Sequence, residues 1–384
     1  MSKWAGKYII GLTGNIGTGK SVVRRMLEHM GTYGIDADAL SHRALAKGSP
    51  GYQPVVEAFG RWVVGPDGEI DRSKLGRIVF SDPQGLAQLE AIVHPLVLQG
   101  MNWLIKRATQ PVIVVEAIKL LEGSLSKTCD IVWVTYAPPE VQLLRLTRNR
   151  KMNEAEARQR IAAQPPQEEK IAVADVIIRN DDTFEHTWKL VNEAWNRTVP
   201  KNIQEPAPAE VVVPSGAAKL PLGEISIQRG RPRDSEAIAL LINRIRKENK
   251  PLNREDVMAA FGEKAFLMLR IGQQMAGVLG WQVENLVART VDIHLLPELP
   301  AGDVLPPMIE EMERASRNLQ CEASLIFAPP ALADAKFWQR LGYENRTPQS
   351  LSVSAWQEAA LESMRPDTTL LFKQLRVDRV LRPI

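Results

Sequence analysis

The sequence predicts an α/β protein of two domains, a parallel sheet with helices on both faces followed by an α+β domain. From residue 7 to about 198, short β-rich runs alternate with helical patterns, which is typical of a parallel sheet. Beyond residue 225 the strands follow one another with little between them, which indicates antiparallel hairpins. Residues 199–224 contain five prolines and no sustained helical period, so they are predicted to form a linker. The expected domains are therefore 1–198 and 225–384.

Each predicted element of the first half has a local signature. The helix KSVVRRMLEHM ends before Gly31, a residue that commonly stops helices, and PEVQLLRLTRNR forms a later helix. The run PVIVVEAI is continuously apolar, as expected for a strand that is buried on both faces. Further strands are predicted in YIIGLT, DIVWVTYAP and ADVIIRN, with a strand or turn in YGIDADAL before another helix.

The second half begins with the strand ISIQRGR and the helix DSEAIALLINRIRKE. Three β-like runs follow, AFLMLRIG, QMAGVLGWQVEN and ARTVDIHLL, and then the helix PPMIEEMERASRNLQ, the strand ASLIFAP and the helix DAKFWQRLG. The final segment TTLLFKQLRVDRVLRPI is compatible with a strand or with a docked tail. This order predicts an α+β domain.

Composition narrows the class of protein. The net charge of +3 gives no strong electrostatic reason to expect nucleic acid or a membrane surface as partner. Cys129 and Cys321 lie far apart and form no metal-binding or disulfide pattern, which favours a reducing compartment. The N-terminal apolar run is too short for a signal peptide, and no stretch reaches membrane-spanning length. We therefore expect a cytoplasmic protein. Its modest basicity fits a protein that handles small anionic molecules, and an ordinary solvated surface explains it equally well.

The stretch GLTGNIGTGKS between the first strand and the first helix has the spacing of a phosphate-binding loop. Its glycines let backbone N–H groups turn toward phosphate oxygens, and Lys20 supplies a charge for the β- and γ-phosphates. The hydroxyl of Ser21 is of the type that ligates Mg²⁺. The predicted nucleotide-binding residues are Gly14, Asn15, Ile16, Gly17, Thr18, Gly19, Lys20 and Ser21.

The loop alone is shared by GTPases, motor-type ATPases and small-molecule kinases. The sequence contains no Asn-Lys-x-Asp run for reading guanine and no transporter-type Ser-Gly-Gly-Gln stretch. A domain of this short length suits a kinase of a small metabolite. The predicted ligands are therefore a nucleotide, bound by its β- and γ-phosphates, and Mg²⁺.

Two carboxylates, Asp36 and Asp38, end the second predicted strand. Alternation along an extended segment would place both on one face of the sheet, beside the phosphate loop. A carboxylate there is suited to accept a proton from an attacking hydroxyl or to help hold Mg²⁺. The alternative is a helix N-cap, which we favour for Asp36, whereas we favour the catalytic interpretation for Asp38.

A basic cluster follows the fourth strand. Arginine side chains suit the charge that spreads over phosphoryl oxygens during transfer, and a flap that bears them would exclude water. The alternative is a solvated helical face with Glu154 and Glu156 as partners, which we favour for Arg158. The cluster consists of Arg145, Arg148, Arg150, Arg158 and Arg160.

Together these segments resemble the dephospho-coenzyme A kinase family over roughly residues 7–198. The resemblance rests on the order of IGLTGNIGTGKS, GIDADALSHR, LEAIVHPLV, VVEAIKLLEGSL, CDIVWVTYAPPEVQLLRL, NEAEARQRIAAQ and ADVIIRND. It implies ATP-dependent phosphorylation of the ribose 3′-hydroxyl of dephospho-coenzyme A, the last step of coenzyme A synthesis. Asp38 would be the base, and Lys20 and Ser21 would hold ATP and Mg²⁺. Arg145 would act on the phosphates, with Arg160 and Gln164 in support; His94 would lie near the acceptor, and Asn180 near the adenine.

Two departures from the family pattern affect the acceptor side and the flap. Family members commonly have a Pro-Leu-Leu run after the third strand, where this chain has AIKLLEG with Lys119. The flap usually reads Arg-Leu-x-x-Arg, but the fourth residue after Arg145 is Asn149. Its neighbours Arg148 and Arg150 are both candidates for the second arginine.

Residues 225–346 more weakly resemble the GNAT acetyltransferase fold, and AKFWQRLGYE is similar to that family's Phe-Tyr-x-x-x-Gly-Phe ending. Active members bind the acyl-coenzyme A pyrophosphate on a glycine-rich turn, where this chain has LLPELPAGDVLPPMIEEM. That stretch has one glycine, Gly302, together with prolines and the acidic Glu298 and Asp303, which would repel phosphate. Trp338 stands where the family often has a tyrosine acid, and an indole cannot supply that proton. We therefore expect a degenerate domain with a binding, regulatory or dimerising role, and coenzyme A or an acyl-coenzyme A is its candidate ligand.

The function that the sequence favours is thus a dephospho-coenzyme A kinase with an additional GNAT-like domain. The alternatives are another P-loop nucleoside or nucleotide kinase, a bifunctional kinase and acetyltransferase, and a non-catalytic nucleotide-sensing scaffold. The presence of Lys20, Ser21 and Asp38 counts against the scaffold.

Overall fold

The computed structural model describes residues 4, 6–123, 125–149, 151–204, 225–246, 250–272, 274–378 and 380–381. Within them, the first half of the chain forms a five-stranded sheet in the order β2-β3-β1-β4-β5, and all of its strand pairs are parallel. Its strands are β1 (Tyr8–Thr13), β2 (Tyr33–Asp36), β3 (Val112–Glu116), β4 (Ile131–Tyr136) and β5 (Val176–Arg179). The predicted parallel sheet is confirmed.

Helices cover both faces of this sheet. Neighbouring side chains of β1 show why, because Ile9 packs into one hydrophobic core and Ile10 into another on the opposite face. All five residues of β3 are buried, as its continuous apolar run predicts. The helices are α1 (Lys20–His29), α2 (Ala37–Ala44), α3 (Tyr52–Phe59), α4 (Arg72–Ser81), α5 (Pro83–Arg107), α6 (Pro139–Asn149), α7 (Glu154–Ala162), α8 (Gln167–Ile171) and α9 (Phe184–Thr198).

The strand order places β1 in the middle of the sheet, with β3 on one side and β4 on the other. The chain leaves β1 toward β2 on one side and later crosses to β4 on the other, so the carboxyl end of β1 is a topological switch point. Ligands of open α/β sheets bind in the crevice at such a point. The loop that follows Thr13, the end of β3 at Glu116 and the end of β2 at Asp36 all lie at this edge.

The second half forms a seven-stranded mixed sheet in the order β11-β12-β10-β9-β8-β7-β6. Strands β6 to β9 pair as consecutive antiparallel neighbours, which confirms the predicted hairpins, and β9 pairs with β10 in parallel. The strands are β6 (Ile225–Arg229), β7 (Ala265–Ile271), β8 (Gln274–Glu284), β9 (Val287–Leu295), β10 (Ala323–Ala328), β11 (Glu344–Asn345) and β12 (Thr369–Gln374). The helices are α10 (Ser235–Arg246), α11 (Arg254–Ala260), α12 (Ala301–Asn318), α13 (Ala335–Arg340) and α14 (Ser354–Ser363).

Helix α12 begins at Ala301, five residues before the start that its sequence suggests. Pro306 and Pro307 lie inside it, where each removes a backbone N–H from the helical ladder. The helix forms nevertheless because Val304, Leu305 and Met308 are fully buried on the same face as later apolar residues. Burial of a large apolar side chain contributes roughly 1.5–3 kcal/mol, so several together outweigh the two prolines.

The sequence of the terminal segment is compatible with a strand or with a docked tail, and the structure contains both. Residues Thr369–Gln374 form β12 between β10 and β11, and the following residues pack on the first domain, where Val380 joins its hydrophobic core. Of the predicted linker, residues 205–224 lie outside the described residues. Among the helices that the structure describes, none combines the length and the apolar character needed to span a membrane.

Candidate active site

The loop after β1 has a backbone that only glycine accommodates at critical points. Gly19 has a φ of +88°, and a Cβ there would lie 1.9 Å from Asn180 Nδ2. A Cβ on Gly14 would lie 2.4 Å from Thr135 Oγ1. Contacts this close exclude any side chain unless the neighbour moves. The glycines that the sequence singles out are therefore required both by conformation and by close packing.

The side chain of Lys20 lies over the loop that precedes it. Its Nζ donates to the carbonyls of Gly14 at 3.1 Å and Asn15 at 3.3 Å. Thr18 braces the same turn, because its Oγ1 donates to Asn15 O at 2.8 Å and contacts Thr135 Oγ1. The ammonium is thus held at the start of α1, where a helix N-terminus and a cation together favour an anion.

Three side chains predicted to act on the phosphates, to support that role or to lie near the adenine contact the phosphate loop directly. Gln164 Oε1 accepts a hydrogen bond from the backbone N–H of Ile16 at 2.7 Å. Arg145 Nη1 donates to Gly17 O at 3.2 Å. Asn180 Nδ2 donates to the carbonyl of Thr18 at 2.9 Å, and Thr187 Oγ1 donates to its Oδ1 at 3.0 Å. Segments far apart in the sequence therefore converge on the phosphate loop.

Other arginines of the basic cluster lie away from the loop. Arg158 forms a 2.7 Å ion pair with Glu154, which confirms the solvated interpretation, and Arg160 pairs in the same way with Glu156. Arg148 is exposed near the end of α6. Arg150 lies outside the described residues. No described contact joins Arg160 to the loop, so its supporting role stays a prediction.

The two residues predicted on the acceptor side lie at the surface. His94 is exposed on α5, directly before Pro95, which lies inside this helix. Lys119 is also exposed, and its Nζ lies 3.1 Å from Glu90 Oε1 on the same helix. Both residues lie on or against α5, and neither has a described contact with the phosphate loop.

The local structure around Asp36 and Asp38 differs from the extended segment that the sequence suggested. Strand β2 ends at Asp36 and α2 begins at Ala37, so alternation does not place the two carboxylates on one face. Asp36 is the N-cap of α2, and its Oδ1 accepts a hydrogen bond from Ala39 N at 2.8 Å. The cap interpretation is therefore confirmed for Asp36. The alternation argument is wrong because the helix starts two residues earlier than an extended run would allow.

Asp38 lies in the first turn of α2 and points to the end of β3. Its Oδ2 accepts a hydrogen bond from the backbone N–H of Ile118 at 3.2 Å. Burial raises the pKa of Asp38 above its usual value, although the hydrogen bond from Ile118 and the charge of Lys20 oppose that rise. A buried carboxylate with a raised pKa at this edge is a stronger base than an exposed one.

Glu116, the last residue of β3, is a site residue that the sequence argument missed. Ser21 Oγ donates to its Oε1 at 2.9 Å, and Arg24 Nε donates to its Oε2 at 2.7 Å. Burial acts to raise the pKa of Glu116, but Arg24 and Lys20 together with these hydrogen bonds lower it overall. The sequence could have indicated Glu116, because it is the one acidic residue within the apolar run PVIVVEAI.

Lys170 is a second residue that the sequence argument missed. It is only 5% exposed, and its Nζ donates to the carbonyl of Ile118 at 2.9 Å. The backbone of Ile118 therefore contacts both residues, because its carbonyl accepts from Lys170 and its N–H donates to Asp38. Burial and the nearby charge of Lys20 lower the pKa of Lys170. Lys170 lies in a five-residue helix of mainly polar residues, which has no hydrophobic periodicity. Its burial therefore could not be predicted from the sequence.

A glycine-rich loop between the first strand and first helix of a parallel sheet, with a lysine over it and acidic residues at the ends of β2 and β3, defines a P-loop phosphotransferase. The dephospho-CoA kinase family model matches residues 8–186. A dephospho-CoA kinase of Streptomyces avermitilis is 46% identical over 187 residues, which cover 48% of this chain and 91% of that protein. A dephospho-CoA kinase of Geobacter metallireducens is 41% identical over 197 residues, or 50% of this chain and 98% of the relative. The chain belongs to the dephospho-CoA kinase family, and its enzymatic activity is that of a dephospho-CoA kinase with ATP as substrate.

Solved structures are similar to each half separately. A crystal structure from Thermus thermophilus is 31% identical, with a TM-score of 0.46, and the match covers 50% of this chain and 98% of that one. A Mycobacterium tuberculosis structure in complex with CoA is 13% identical, with a TM-score of 0.31, over 39% of this chain and 99% of that one. A GNAT-family acetyltransferase of Streptococcus pneumoniae is 11% identical, with a TM-score of 0.30 and the same coverage.

Proposed function

We propose that the first domain transfers the γ-phosphoryl group of ATP to the ribose 3′-hydroxyl of dephospho-coenzyme A, with Asp38 as the base. The observation that carries this assignment is the position of Asp38 at the carboxyl edge of the sheet. There its carboxylate accepts a hydrogen bond from Ile118, and the positive charge of Lys20 stabilises its ionised form. A base must lie beside the phosphate loop if it is to act on a hydroxyl that attacks the γ-phosphorus.

In the proposed step, Asp38 accepts the hydroxyl proton while the hydroxyl oxygen bonds to the γ-phosphorus. The bond from that phosphorus to the bridging oxygen breaks, and its electron pair leaves with ADP. Lys20 lies at the carbonyls of Gly14 and Asn15, from where its charge is available to the phosphates. Arg145, bonded to Gly17, supplies a second cation beside the same loop.

We assign Mg²⁺ to Ser21 and Glu116. The hydroxyl and carboxylate oxygens are 2.9 Å apart and are of the hard type that Mg²⁺ prefers. When bound, the ion would neutralise charge on the phosphates. Because Mg²⁺ in kinases keeps waters and phosphate oxygens as ligands, one or two protein donors suffice. E116Q should raise the Mg²⁺ concentration that gives half-maximal rate, and an unchanged Mg²⁺ titration would contradict the assignment.

The remaining residues receive roles by position. Gln164 and Asn180 would shape the phosphate loop for the nucleotide, since each bonds its backbone. Asn180 is also proposed near the adenine. His94 and Arg160 are proposed to contact the acceptor, and both side chains are exposed to solvent. We place the activity in the cytoplasm, which both free cysteines favour.

Another P-loop nucleoside kinase remains the alternative, because Lys119 changes the acceptor-side motif. An ATP-consumption assay of the full chain across dephospho-coenzyme A and a panel of nucleosides and nucleotides separates the two. Turnover should be highest with dephospho-coenzyme A and absent in K20A. Equal or higher turnover with another acceptor would overturn the assignment.

For the second domain we infer a binding or regulatory role without acetyl transfer. Trp338 is fully buried and its Nε1 donates to Leu332 O at 2.6 Å, which supports a core function for the residue at the position of the expected acid. Asp303 lies in the first turn of α12, where its charge opposes an anion. Calorimetry of the full chain with acetyl-coenzyme A, with dephospho-coenzyme A saturating the kinase site, tests the candidate ligand. Absence of heat would remove coenzyme A derivatives as ligands of this domain.

A further inference from the structure

The second domain contacts the kinase domain through the helix that carries Asp38. Arg43, in the last turn of α2, pairs with Glu322, the residue directly before β10, with Nη1 2.6 Å from Oε1. The side chains are only 11% and 1% exposed. Arg43 Nη2 also donates to the carbonyl of Asn285 at 2.5 Å. One arginine thus joins α2 to two separate segments of the second domain.

Glu322 connects Arg43 to the terminal tail of the chain. Its Oε1 accepts a hydrogen bond from Val380 N at 3.1 Å, and its backbone carbonyl accepts one from Leu375 N at 2.8 Å. Val380 is 5% exposed and belongs to the core that packs below α2 and α5. Removing the charge of the Glu322 carboxylate would therefore weaken its bonds to Arg43 and to Val380, whereas the backbone bond to Leu375 would remain.

The tail and α5 make further direct contacts. Arg107 Nη1 pairs with Asp378 Oδ2 at 2.7 Å. The guanidinium groups of Arg107 and Arg376 lie 4.2 Å and 5.0 Å from the ring centre of Trp103, one from each domain. Helix α5 packs on α2. The tail therefore contacts α2 indirectly by two routes, one through α5 and one through Glu322 and Arg43.

The tip of the β8–β9 hairpin completes the contact. Asn285 and Leu286 have φ values of +49° and +59°, a two-residue turn that asparagine readily adopts but that is costly for leucine. The turn aims the Asn285 carbonyl at Arg43, and Leu286 packs against the core of the kinase domain. The backbone therefore adopts a strained conformation where it meets α2.

Helix α2 has only eight residues, and it is fixed at both ends. The Asp36 cap and the hydrogen bond from Ile118 to Asp38 hold its first turn, while Arg43 holds its last turn. A short rigid helix transmits a displacement of one end to the other. Loss of the Arg43 contacts would thus displace the Asp38 carboxylate relative to the phosphate loop.

We propose that the second domain is a positioning element of the kinase, and that Arg43 and Glu322 orient α2 so that Asp38 reaches the acceptor hydroxyl. The inference rests on the proposed role of Asp38. The curated relatives are matched over 91% and 98% of their length by about half of this chain, so the interface is a feature that this chain adds.

The test compares R43M, E322Q and the double variant in the full chain, with R346M as the matched control. Arg346 pairs with Glu344 at the surface of the second domain, so its loss should leave the kinase unchanged. We expect R43M and E322Q each to lower kcat about tenfold or more, since small displacements of a catalytic group cost at least this much. The Kd of ATP should stay within twofold, and the double variant should be no worse than R43M.

Two measurements separate positioning from loss of folding. Thermal unfolding reports the folded fraction, and R43K, which keeps the charge but reaches only one of the two partners, should retain intermediate kcat. Unchanged kcat in a folded R43M would overturn the proposal, as would equal losses of ATP affinity and kcat. If R43M fails to fold, E322Q and R43K decide by the same criteria. Failure of the proposed function is distinguishable, because wild type would then be inactive or D38N fully active.

Discussion

Asp38 is governed by opposing local effects that set the pH range of the proposed chemistry. Burial raises its pKa, whereas the Ile118 N–H and the charges of Lys20 and Lys170 lower it. Because the pKa stays above the ordinary aspartate value, the proton-accepting form appears only as pH rises through a higher range than usual. The acidic limb of the kcat profile should therefore lie above that of an exposed carboxylate.

Substitution D38N removes the base without changing size. We expect kcat to fall by about 10²–10⁴-fold, the usual contribution of general base catalysis, while ATP binding is largely spared. Steady-state kinetics together with equilibrium binding of ATP measure this split. Unchanged kcat would mean that Asp38 only stabilises the start of α2.

Lys170 should act on the reaction through Asp38. K170M removes a positive charge near the carboxylate, so the pKa of Asp38 should rise and the acidic limb of kcat should move to higher pH. K170R should keep the limb near its wild-type position. K189M, at an exposed lysine of α9, is the control. An equal loss of kcat at every pH in K170M would point to a packing role instead.

At the scale of single elements, the phosphate loop and its helix could be predicted because their determinants are local. The glycine spacing, the preceding strand and the helical pattern all lie between residues 8 and 29. Glu116 could not be found in this way, since its contact with Ser21 joins residues 95 positions apart. The sequence suggests an extended segment through Asp38, whereas α2 begins at Ala37. The only local signal for this start is the capping side chain of Asp36, which lies within a β-like run.

The loop itself should tolerate little change at Gly19. G19A places a Cβ at φ +88° against Asn180, whose side chain is held by Thr18 and Thr187. We expect the free energy of unfolding to fall by about 1–3 kcal/mol and the KM for ATP to rise. Chemical denaturation and kinetics measure both. G302A, where a Cβ meets no atom within 4 Å, is the control and should be neutral or stabilising.

At the scale of the whole molecule, the two domains bury side chains against each other, and this contact cannot be predicted from the sequence of either half. Arg43 and Glu322 are 279 positions apart, and Val380 completes a core formed by the first domain. The sequence does predict two domains and their fold classes, because patterns of strands and helices are local. It does not predict their contact, because complementary side chains on separate domains leave no periodic signal.

The interface should also make stability depend on pH through His29. This residue of α1 donates from Nε2 to Phe261 O at 2.8 Å, and burial and Arg229 lower its pKa to about 3. Since the unfolded value is near 6.5, its stabilising contribution is complete above pH 6.5 and declines below it. We expect a loss of at most about 2 kcal/mol at pH 5. Denaturation of wild type and H29Q at pH 7 and pH 5 measures the difference, and an identical pH dependence in both would contradict it.

The central claim, that this chain phosphorylates the 3′-hydroxyl of dephospho-coenzyme A, is tested most directly by the position of the phosphate in the product. Full-length protein is incubated with ATP, Mg²⁺ and dephospho-coenzyme A, and the product is examined by ³¹P–¹H correlation NMR. The phosphate should couple to the ribose 3′ proton, and the 3′-deoxy analogue should give no product. A phosphate on any other atom, or ATP hydrolysis without transfer, would contradict the account.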